Sequence, residues 1–286
     1  MATVNLKKES ILSIKPELPT KSPGIKPYNF SKCVGEAMGT FVIHLTGHYS
    51  GGNYFVVPIA VLLLVTLLGP VCDAHFNALC TLFAVVMEKH HNTPRSTYGR
   101  VVSYLISQVL GYFLAGVLLV LLKGPDALGH TVPGPTTSTM GALVLETYWT
   151  TMLMVWVSYL MHPTSSLEPW RIGALFFLFI SIVILSDGNY SGGSINPSIA
   201  FASGLLNWFI KGDLDNMILM LQYMVFQLFS IPLASWIAKN FISDCLYPPG
   251  QIPSLLNETE ANSEKEKGVE IEMTNKEVTE YSRLAE

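Results

Sequence analysis

Apolar residues in this chain form long runs separated by short polar connections. Six runs approach the roughly 20 residues that cross a bilayer as a helix, and they lie at about 33–49, 54–72, 100–122, 140–161, 170–187 and 217–241. Two further runs, 77–88 and 196–208, are too short to cross, and each begins at an asparagine. Backbone that stops at membrane depth must be buried in protein or line a wet cavity. The pattern predicts an all-helical membrane protein with six transmembrane helices and two re-entrant half-helices.

The two short runs belong to an internal repeat that covers about 32–123 and 140–242. Matches at a constant offset indicate a duplicated unit. Three spans separate the two copies, so the second is inverted relative to the first. Inverted repeats with a polar break in each copy indicate a solute path at the repeat interface. The pairs that share an offset of 119 residues are Asn77 with Asn196, Tyr104 with Tyr223 and Gln108 with Gln227.

Charge separates a membrane core from two polar tails. Charged residues make up 13% of the chain, against about 25% in a typical soluble domain. Most of them lie near the two termini. We predict a disordered cytosolic arm over 1–31, a channel domain over 32–245 and a disordered acidic cytosolic tail over 246–286. The net charge of −4 comes largely from that tail, and no long basic stripe points to a nucleic-acid partner.

The distribution of lysine and arginine predicts the orientation, because cytosolic loops carry an excess of both. Six spans place both termini on one side, and we expect that side to be cytosolic. The membrane is predicted to be the plasma membrane or that of an intracellular vesicle. The basic residues on the predicted cytosolic side are Lys7, Lys8, Lys15, Lys21, Lys26, Lys89, Arg95 and Arg100, whereas the opposite side has little beyond Lys123 and Lys211.

Asn77 and Asn196 each precede a half-helix, where asparagine is a favoured cap. Pro197 suits a first helical position. The half-helices enter from opposite faces, so their N-termini meet near the midplane and their positive dipole ends repel cations. We expect a passing water to accept hydrogen bonds from both asparagine amides. A single asparagine of this kind would be an ordinary loop cap, whereas two at matched positions of inverted repeats favour a pore.

Two segments carry a family resemblance. Residues 192–197 resemble a Gly-x-x-Asn-Pro-Ala loop, and residues 74–82 resemble Ala-His-x-Asn-Pro-Ala-Val-Thr-Leu, both of the major intrinsic protein family of aquaporins and glycerol facilitators. The resemblance covers about 30–245. It implies a homotetramer with one pore per subunit and passive flow of water and small neutral solutes, with no catalysed reaction and no cofactor. The pore motif positions are Asn77, Ala78, Leu79, Asn196, Pro197 and Ser198.

Two glutamates lie within predicted spans. A carboxylate there is costly, so Glu36 and Glu146 should face the bundle interior and have partners. The resemblance implies that each braces a re-entrant loop by accepting backbone N–H groups. A proton-coupling carboxylate, as in a secondary transporter, is the alternative. Three further side chains are predicted to hold the loops: His75, Gln108 and Gln227.

The chain departs from the family at the outer constriction. Ile199 stands where the family usually has arginine, two residues after the motif proline. Without arginine the filter loses a fixed charge and five donors. An apolar constriction passes water poorly or gates by dewetting, and it favours less polar neutral solutes such as glycerol. We predict weakened water selectivity. The four filter positions are Val57, Ile184, Gly193 and Ile199.

A second departure supports a rival hypothesis. The first motif reads Asn-Ala-Leu, and Leu79 is bulkier than the family's alanine. A pore closed by Leu79 and the apolar ring would leave a structural or junctional protein, and the short connection 48–53 would permit close membrane apposition. No metal site is predicted, because His90 and His91 are interpreted as loop surface.

Overall fold

A computed structural model describes residues 30–49, 53–90, 97–128, 132–160 and 167–242. Residues 1–29 of the predicted N-terminal arm and the whole predicted acidic tail lie outside the described residues, whereas Phe30 and Ser31, predicted to end the arm, already belong to the first helix. A short 3₁₀ turn covers Pro125–Ala127, and a π-helical turn at Ala238–Ile242 ends the described chain. The α-helices are α1 (Phe30–Tyr49), α2 (Val56–Cys72), α3 (Ala78–His90), α4 (Tyr98–Lys123), α5 (Thr139–Leu160), α6 (Pro169–Asp187), α7 (Pro197–Lys211), α8 (Leu214–Leu228) and α9 (Ser230–Ile237).

The helices follow the order of the predicted apolar runs. Helix α2 is apolar but shorter than the longest segments, and α1 buries the polar side chains of Glu36, Thr40 and His44 among its apolar residues. Helices α3 and α7 are the two half-helices. Four segments of the described chain are long and apolar enough to cross a membrane: Tyr98–Lys123, Thr139–Leu160, Pro169–Asp187 and Leu214–Ile242.

The last of these segments is interrupted. Helix α8 ends at Leu228 and α9 begins at Ser230. Proline lacks the N–H that would bond the carbonyl four residues earlier, and Pro232 lies four residues after Leu228. The break therefore falls where the predicted proline kink would place it.

Contacts at the helix ends fix the directions of α1, α2 and α4. Lys32 near the start of α1 and Arg100 near the start of α4 both bond Asp73, which follows α2. Tyr49 and Lys123 meet at the other ends of α1 and α4, with Nζ 3.7 Å from the ring centroid. Helices α1 and α4 are therefore parallel, and α2 is antiparallel to both. We call the end at Asp73 the terminal face and the opposite end the distal face.

Glycines bring the inner helices together. A Cβ added at Gly111 of α4 would lie 2.0 Å from Thr40 Oγ1 on α1, and one added at Gly39 would lie 2.1 Å from the ring of Phe76. Because only glycine allows these approaches, α1 packs closely against both α4 and the loop before α3. This close packing puts the N-terminal ends of α3 and α7 in the middle of the bundle.

Candidate channel and the loop junction

A cavity of about 470 Å³ runs between the two halves of the bundle. Its wall includes Asp73 and Pro169 toward the terminal face, and Val57 and Ile199 toward the distal face. The loops that precede α3 and α7 both contribute to the wall between these ends. The two repeats therefore meet on one shared cavity, as the inverted arrangement predicts.

The motif asparagines start the two half-helices in the same way. Asn77 Oδ1 accepts a hydrogen bond of 2.8 Å from the backbone N–H of Leu79. Asn196 Oδ1 accepts one of 3.0 Å from the N–H of Ser198. Each bond satisfies an N–H group that the first turn of a helix leaves unpaired. Pro197 is the first residue of α7, where its missing N–H costs nothing.

The asparagine amides also join the two loops to each other. Asn77 Nδ2 donates to the carbonyl of Ile195 at 2.9 Å, and Asn196 Nδ2 donates to the carbonyl of Phe76 at 2.9 Å. Each loop thus supplies the acceptor for the amide of the other. Both asparagines remain part of the cavity wall.

Tyr112 of α4 also belongs to this junction, although it lies in neither of the two sequence motifs. Asn196 Nδ2 also donates to its hydroxyl at 2.8 Å, and that hydroxyl donates to the Phe76 carbonyl at 3.1 Å. This differs from the expectation that both amides are open to a passing water, because Asn196 has two protein acceptors. The repeat offset pairs Tyr112 with Ile231, and that mismatch is the signal that could have identified it.

The loops have a strained backbone that is repeated in both halves. Phe76 has φ of 46° and its repeat partner Ile195 has φ of 38°. Positive φ costs a residue with a side chain about 1–2 kcal/mol, so surrounding bonds must hold the loop in place. The other matched positions with positive φ are Asp73 (68°) with Gly192 (90°), and Ala74 (49°) with Gly193 (57°).

Glu36 supplies such bonds to the first loop. Its Oε1 accepts from the backbone N–H of His75 at 2.8 Å, and its Oε2 accepts from that of Phe76 at 2.8 Å. Gln108 Nε2 donates to the same Oε2 at 2.8 Å and to Thr81 Oγ1 at 3.0 Å. The carboxyl group is fully buried behind the loop. It therefore occupies the position that a brace requires.

Glu146 holds the second loop with more bonds. Its Oε1 accepts from the N–H of Ser194 at 2.9 Å, and its Oε2 accepts from that of Ile195 at 2.8 Å. Gln227 Nε2 donates to Oε2 at 2.8 Å. The hydroxyls of Ser191 and Ser194 donate to the carboxyl as well, at 2.9 and 3.1 Å. Both glutamates thus face loop backbone, with their carboxyl groups behind the cavity wall.

Two buried tyrosines tie the loops to α4 and α8. Tyr104 donates its hydroxyl to the carbonyl of Cys72 at 2.9 Å, and Tyr223 donates to that of Ser191 at 2.8 Å. Both pairs are related by the repeat offset. His75 lines the cavity with its ring centroid 5.6 Å from that of Tyr104. Its Nδ1 lies 3.1 Å from Thr81 Oγ1, so the ring is held in the loop.

The four predicted filter positions meet at the distal part of the cavity. Val57 of α2, Ile184 of α6, Gly193 of the second loop and Ile199 of α7 all belong to its wall. Ile43 of α1 joins them. The side chains at these positions are aliphatic or absent. This end of the cavity is therefore an apolar ring, whereas the asparagines make its centre polar.

An ion pair marks the opposite end of the cavity. Asp73 Oδ2 lies 2.5 Å from Arg100 Nη2, 3.3 Å from Lys32 Nζ and 3.1 Å from the hydroxyl of Tyr104. Burial favours the neutral acid, but the charges of Arg100 and Lys32 outweigh it and hold the pKa of Asp73 below its ordinary value of 3.8. The terminal end of the cavity thus carries charge, unlike the distal end.

Leu79 lies away from the channel wall. It is fully buried and packs in a hydrophobic cluster with Phe83 and Met154. The neighbouring Ala78 is also buried at the first position of α3. The extra bulk of Leu79 therefore fills the contact between α3 and α5. The rival hypothesis of a pore closed by this residue gains no support from its position.

The fold and the cavity define a helical membrane protein with two inverted halves around one path. Residues 26–237 match the family described as Major intrinsic protein. Aquaporin AqpM of Methanothermobacter marburgensis is 25% identical over 210 residues, which are 63% of this chain and 85% of that relative. Probable aquaporin AqpM of Archaeoglobus fulgidus is 28% identical over 160 residues, or 52% and 62% of the two chains.

A solved structure also resembles this chain. The aquaglyceroporin from Plasmodium falciparum superposes with a TM-score of 0.64 at 18% identity, covering 74% of this chain and 96% of that one. The chain belongs to the major intrinsic protein family, since the family match extends over most of its length. It is an integral membrane channel for water or small solutes and not an enzyme. The aquaporin-like fold expected from the sequence is confirmed.

Proposed function

We propose that this chain is a passive channel for water and small neutral solutes such as glycerol, with an apolar outer filter. The observation that carries the proposal is the meeting of Val57, Ile184, Gly193 and Ile199 at one end of the cavity. A solute that enters this ring loses hydration with little replacement. Per unit of surface, a solute with CH groups such as glycerol loses less hydration free energy there than water does, so the ring favours such solutes relative to water. The amide of Asn77 then offers a hydrogen bond further along.

The loop junction supplies cation exclusion in this proposal. The N-termini of α3 and α7 meet at the asparagines, and both helix dipoles point their positive ends at the cavity. Glu36 and Glu146 act as braces, with His75, Gln108 and Gln227 completing the support. The positions of the two carboxyl groups behind the wall favour bracing over proton coupling.

Stopped-flow light scattering of proteoliposomes tests the proposal. Under a sucrose gradient the vesicles should shrink faster than empty ones, and under a glycerol gradient they should shrink and swell again. Ile199→Arg should suppress the glycerol phase at least about tenfold, because it adds a hydrated charge to the narrow apolar ring. Ile199→Met is the matched control, because methionine is also a long unbranched side chain but carries no charge. This variant should keep the re-swelling phase in glycerol.

Two outcomes would contradict the proposal. Permeability equal to that of empty vesicles would favour a structural or junctional role. Solute uptake that follows an imposed pH gradient would favour a coupled transporter, and Glu36→Gln and Glu146→Gln should then abolish the coupling while leaving a partly active pore. Under our proposal an imposed pH gradient has no effect on uptake.

We also propose a homotetramer with one pore in each subunit. The family resemblance supports this assembly, and apolar side chains such as Leu63, Leu67 and Ile182 are exposed on the outer surfaces of α2 and α6. These surfaces must meet lipid or another subunit. Light scattering coupled to size exclusion, corrected for bound detergent, should give four times the mass of one chain. A monomer mass would contradict the proposal.

The proposed orientation places both termini in the cytosol, in the plasma membrane or a vesicle membrane. Lys32 and Arg100 lie at the terminal face, whereas Lys123 and Lys211 lie toward the distal face. In the sequence, the lysine-rich segment 1–29 precedes Lys32, and an excess of basic residues marks the cytosolic side. An epitope tag at either terminus should stay inaccessible to antibody until the cell membrane is permeabilised.

A further inference from the structure

The hydroxyl of Tyr112 lies at the level of the two motif asparagines. Tyr112 belongs to the cavity wall, yet the residue is only 1% exposed. Its oxygen accepts from Asn196 Nδ2 and donates to the Phe76 carbonyl. The ring of His44 packs edge-on against it, with centroids 5.6 Å apart. The phenol is therefore held in one position beside the centre of the channel.

The amide donors at this level can be counted. An asparagine amide nitrogen carries two hydrogens. Those of Asn196 have acceptors in Phe76 O at 2.9 Å and the Tyr112 hydroxyl at 2.8 Å. Asn77 gives one hydrogen to Ile195 O at 2.9 Å, and the described residues show no acceptor for the other. One asparagine N–H, on Asn77, is therefore available to the cavity.

We propose that Tyr112 limits water passage at the centre of this channel by occupying the second amide N–H of Asn196. Water that leaves its neighbours to enter a narrow apolar path is stabilised where wall donors replace the lost hydrogen bonds. Here the channel wall offers one asparagine N–H, from Asn77. Asn196 would offer a second one if Tyr112 did not accept it. The inference deepens the proposed passive flow and rests on it.

Tyr223 separates this role from simple loop anchoring. Its hydroxyl also donates to a loop carbonyl, that of Ser191 at 2.8 Å, and the residue is fully buried. It lies outside the cavity wall. Tyr223→Phe therefore removes an anchoring bond of the same kind without changing a donor in the channel, which makes it the matched control for Tyr112→Phe.

The test compares water permeability per channel in four preparations under a sucrose gradient. They are proteoliposomes with the wild-type chain, with Tyr112→Phe and with Tyr223→Phe, and empty vesicles. Size exclusion before reconstitution checks the fold of each variant. Tyr112→Phe should raise water permeability about two- to tenfold, which corresponds to one net hydrogen bond. Tyr223→Phe should match the wild type.

Each outcome decides the inference. A conducting wild type with an unchanged Tyr112→Phe, or the same increase in both variants, would overturn the role of Tyr112 and leave the proposed flow intact. A non-conducting wild type with a conducting Tyr112→Phe would support that role and contradict constitutive flow. Permeability at the level of empty vesicles in all three proteins would overturn both.

Discussion

The first and second re-entrant loops have the same backbone scaffold. In each, a glutamate accepts two consecutive backbone N–H groups, a tyrosine hydroxyl anchors a carbonyl, and an asparagine amide reaches the opposite loop. The shared bonds use backbone groups or identical side chains. The positions with positive φ also match in pairs. The duplication thus preserves what holds the loops at the centre of the bundle.

The loops differ in the side chains outside that scaffold. Asp73 of the first loop pairs with Gly192 of the second in the repeat, and Tyr112 pairs with Ile231. Because the repeats differ at these positions, the terminal end of the cavity is charged, and its centre has one available asparagine donor. The two halves therefore share the bonds that support the loops and differ in the side chains that set the chemistry of the channel.

The largest loss of stability should come from replacing Glu36 or Glu146, the two glutamates that brace the loops. In Glu36→Gln, the new amide nitrogen faces the N–H of His75. In Glu146→Gln it faces the N–H of Ser194 and forces the Ser191 hydroxyl to turn as well. We expect losses in the free energy of unfolding of about 2 kcal/mol for the first and about 3 kcal/mol for the second, because buried donors are left unsatisfied.

Chemical unfolding in detergent, followed by tryptophan fluorescence, measures both losses. Glu168→Gln is the control, since its side chain is 62% exposed at the start of α6, and it should leave stability unchanged. A larger loss for Glu36→Gln than for Glu146→Gln would contradict the stronger support assigned to Glu146.

Sequence alone predicted the parts that depend on periodicity and on residue type. The half-helices were predicted from 77 and 196 and begin one residue later at Ala78 and Pro197, because a capping asparagine has non-helical backbone. The buried carboxyl groups were expected to need partners because a lone one is costly in the membrane. These rules are local, so a single sequence is enough to apply them.

The partners across the bundle could not be predicted in the same way. Tyr112 reaches Asn196 from α4, which Gly111 lets approach α1 closely. Asp73 meets Lys32 across 41 residues of chain because α1 and α2 pack side by side. Such contacts depend on the relative placement of helices, which periodicity does not specify.

A smaller effect should distinguish Ala74 from its repeat partner Gly193. Both have positive φ, at 49° and 57°. Gly193→Ala should destabilise the fold by about 1 kcal/mol, and Ala74→Gly should stabilise it by up to about 1 kcal/mol, since alanine is strained in this conformation. Steric overlap is not the cause at Gly193, where the nearest atom to an added Cβ lies 3.8 Å away.

The same unfolding measurement tests this pair. The two substitutions should change the free energy of unfolding with opposite signs. If both substitutions changed the free energy of unfolding in the same direction, backbone strain would not explain their effects. That result would contradict the view that Ala74 and Gly193 have equivalent backbone conformations.

The smallest effect concerns Asp73, which has no counterpart in the second loop. Its half-exposed ion pair should contribute less than about 1 kcal/mol at neutral pH. Because the folded pKa lies below the unfolded one, this contribution is complete above the unfolded pKa and is lost as the pH falls through the folded pKa. Asp73→Asn should be slightly less stable at neutral pH and lose less stability on acidification.

Thermal unfolding between neutral pH and about pH 3 in detergent measures this difference, on the acid side of the ordinary aspartate pKa. Asp126→Asn, in the 3₁₀ turn after α4, is the control and should keep the acid sensitivity of the wild type. An unchanged acid profile in Asp73→Asn would show that the ion pair adds no pH-dependent stability.

The hydrogen bonds that the two asparagine side chains donate between the loops also constrain the order of assembly. They join residues 118 and 120 positions apart in the chain. A ribosome delivers the first loop and α4 to the bilayer long before it has made Asn196. Until the second copy is inserted, the Phe76 carbonyl lacks the amide of Asn196, and Asn77 lacks its acceptor on Ile195. The centre of the channel therefore cannot form until the second loop has been made and inserted, although half of it is synthesised early.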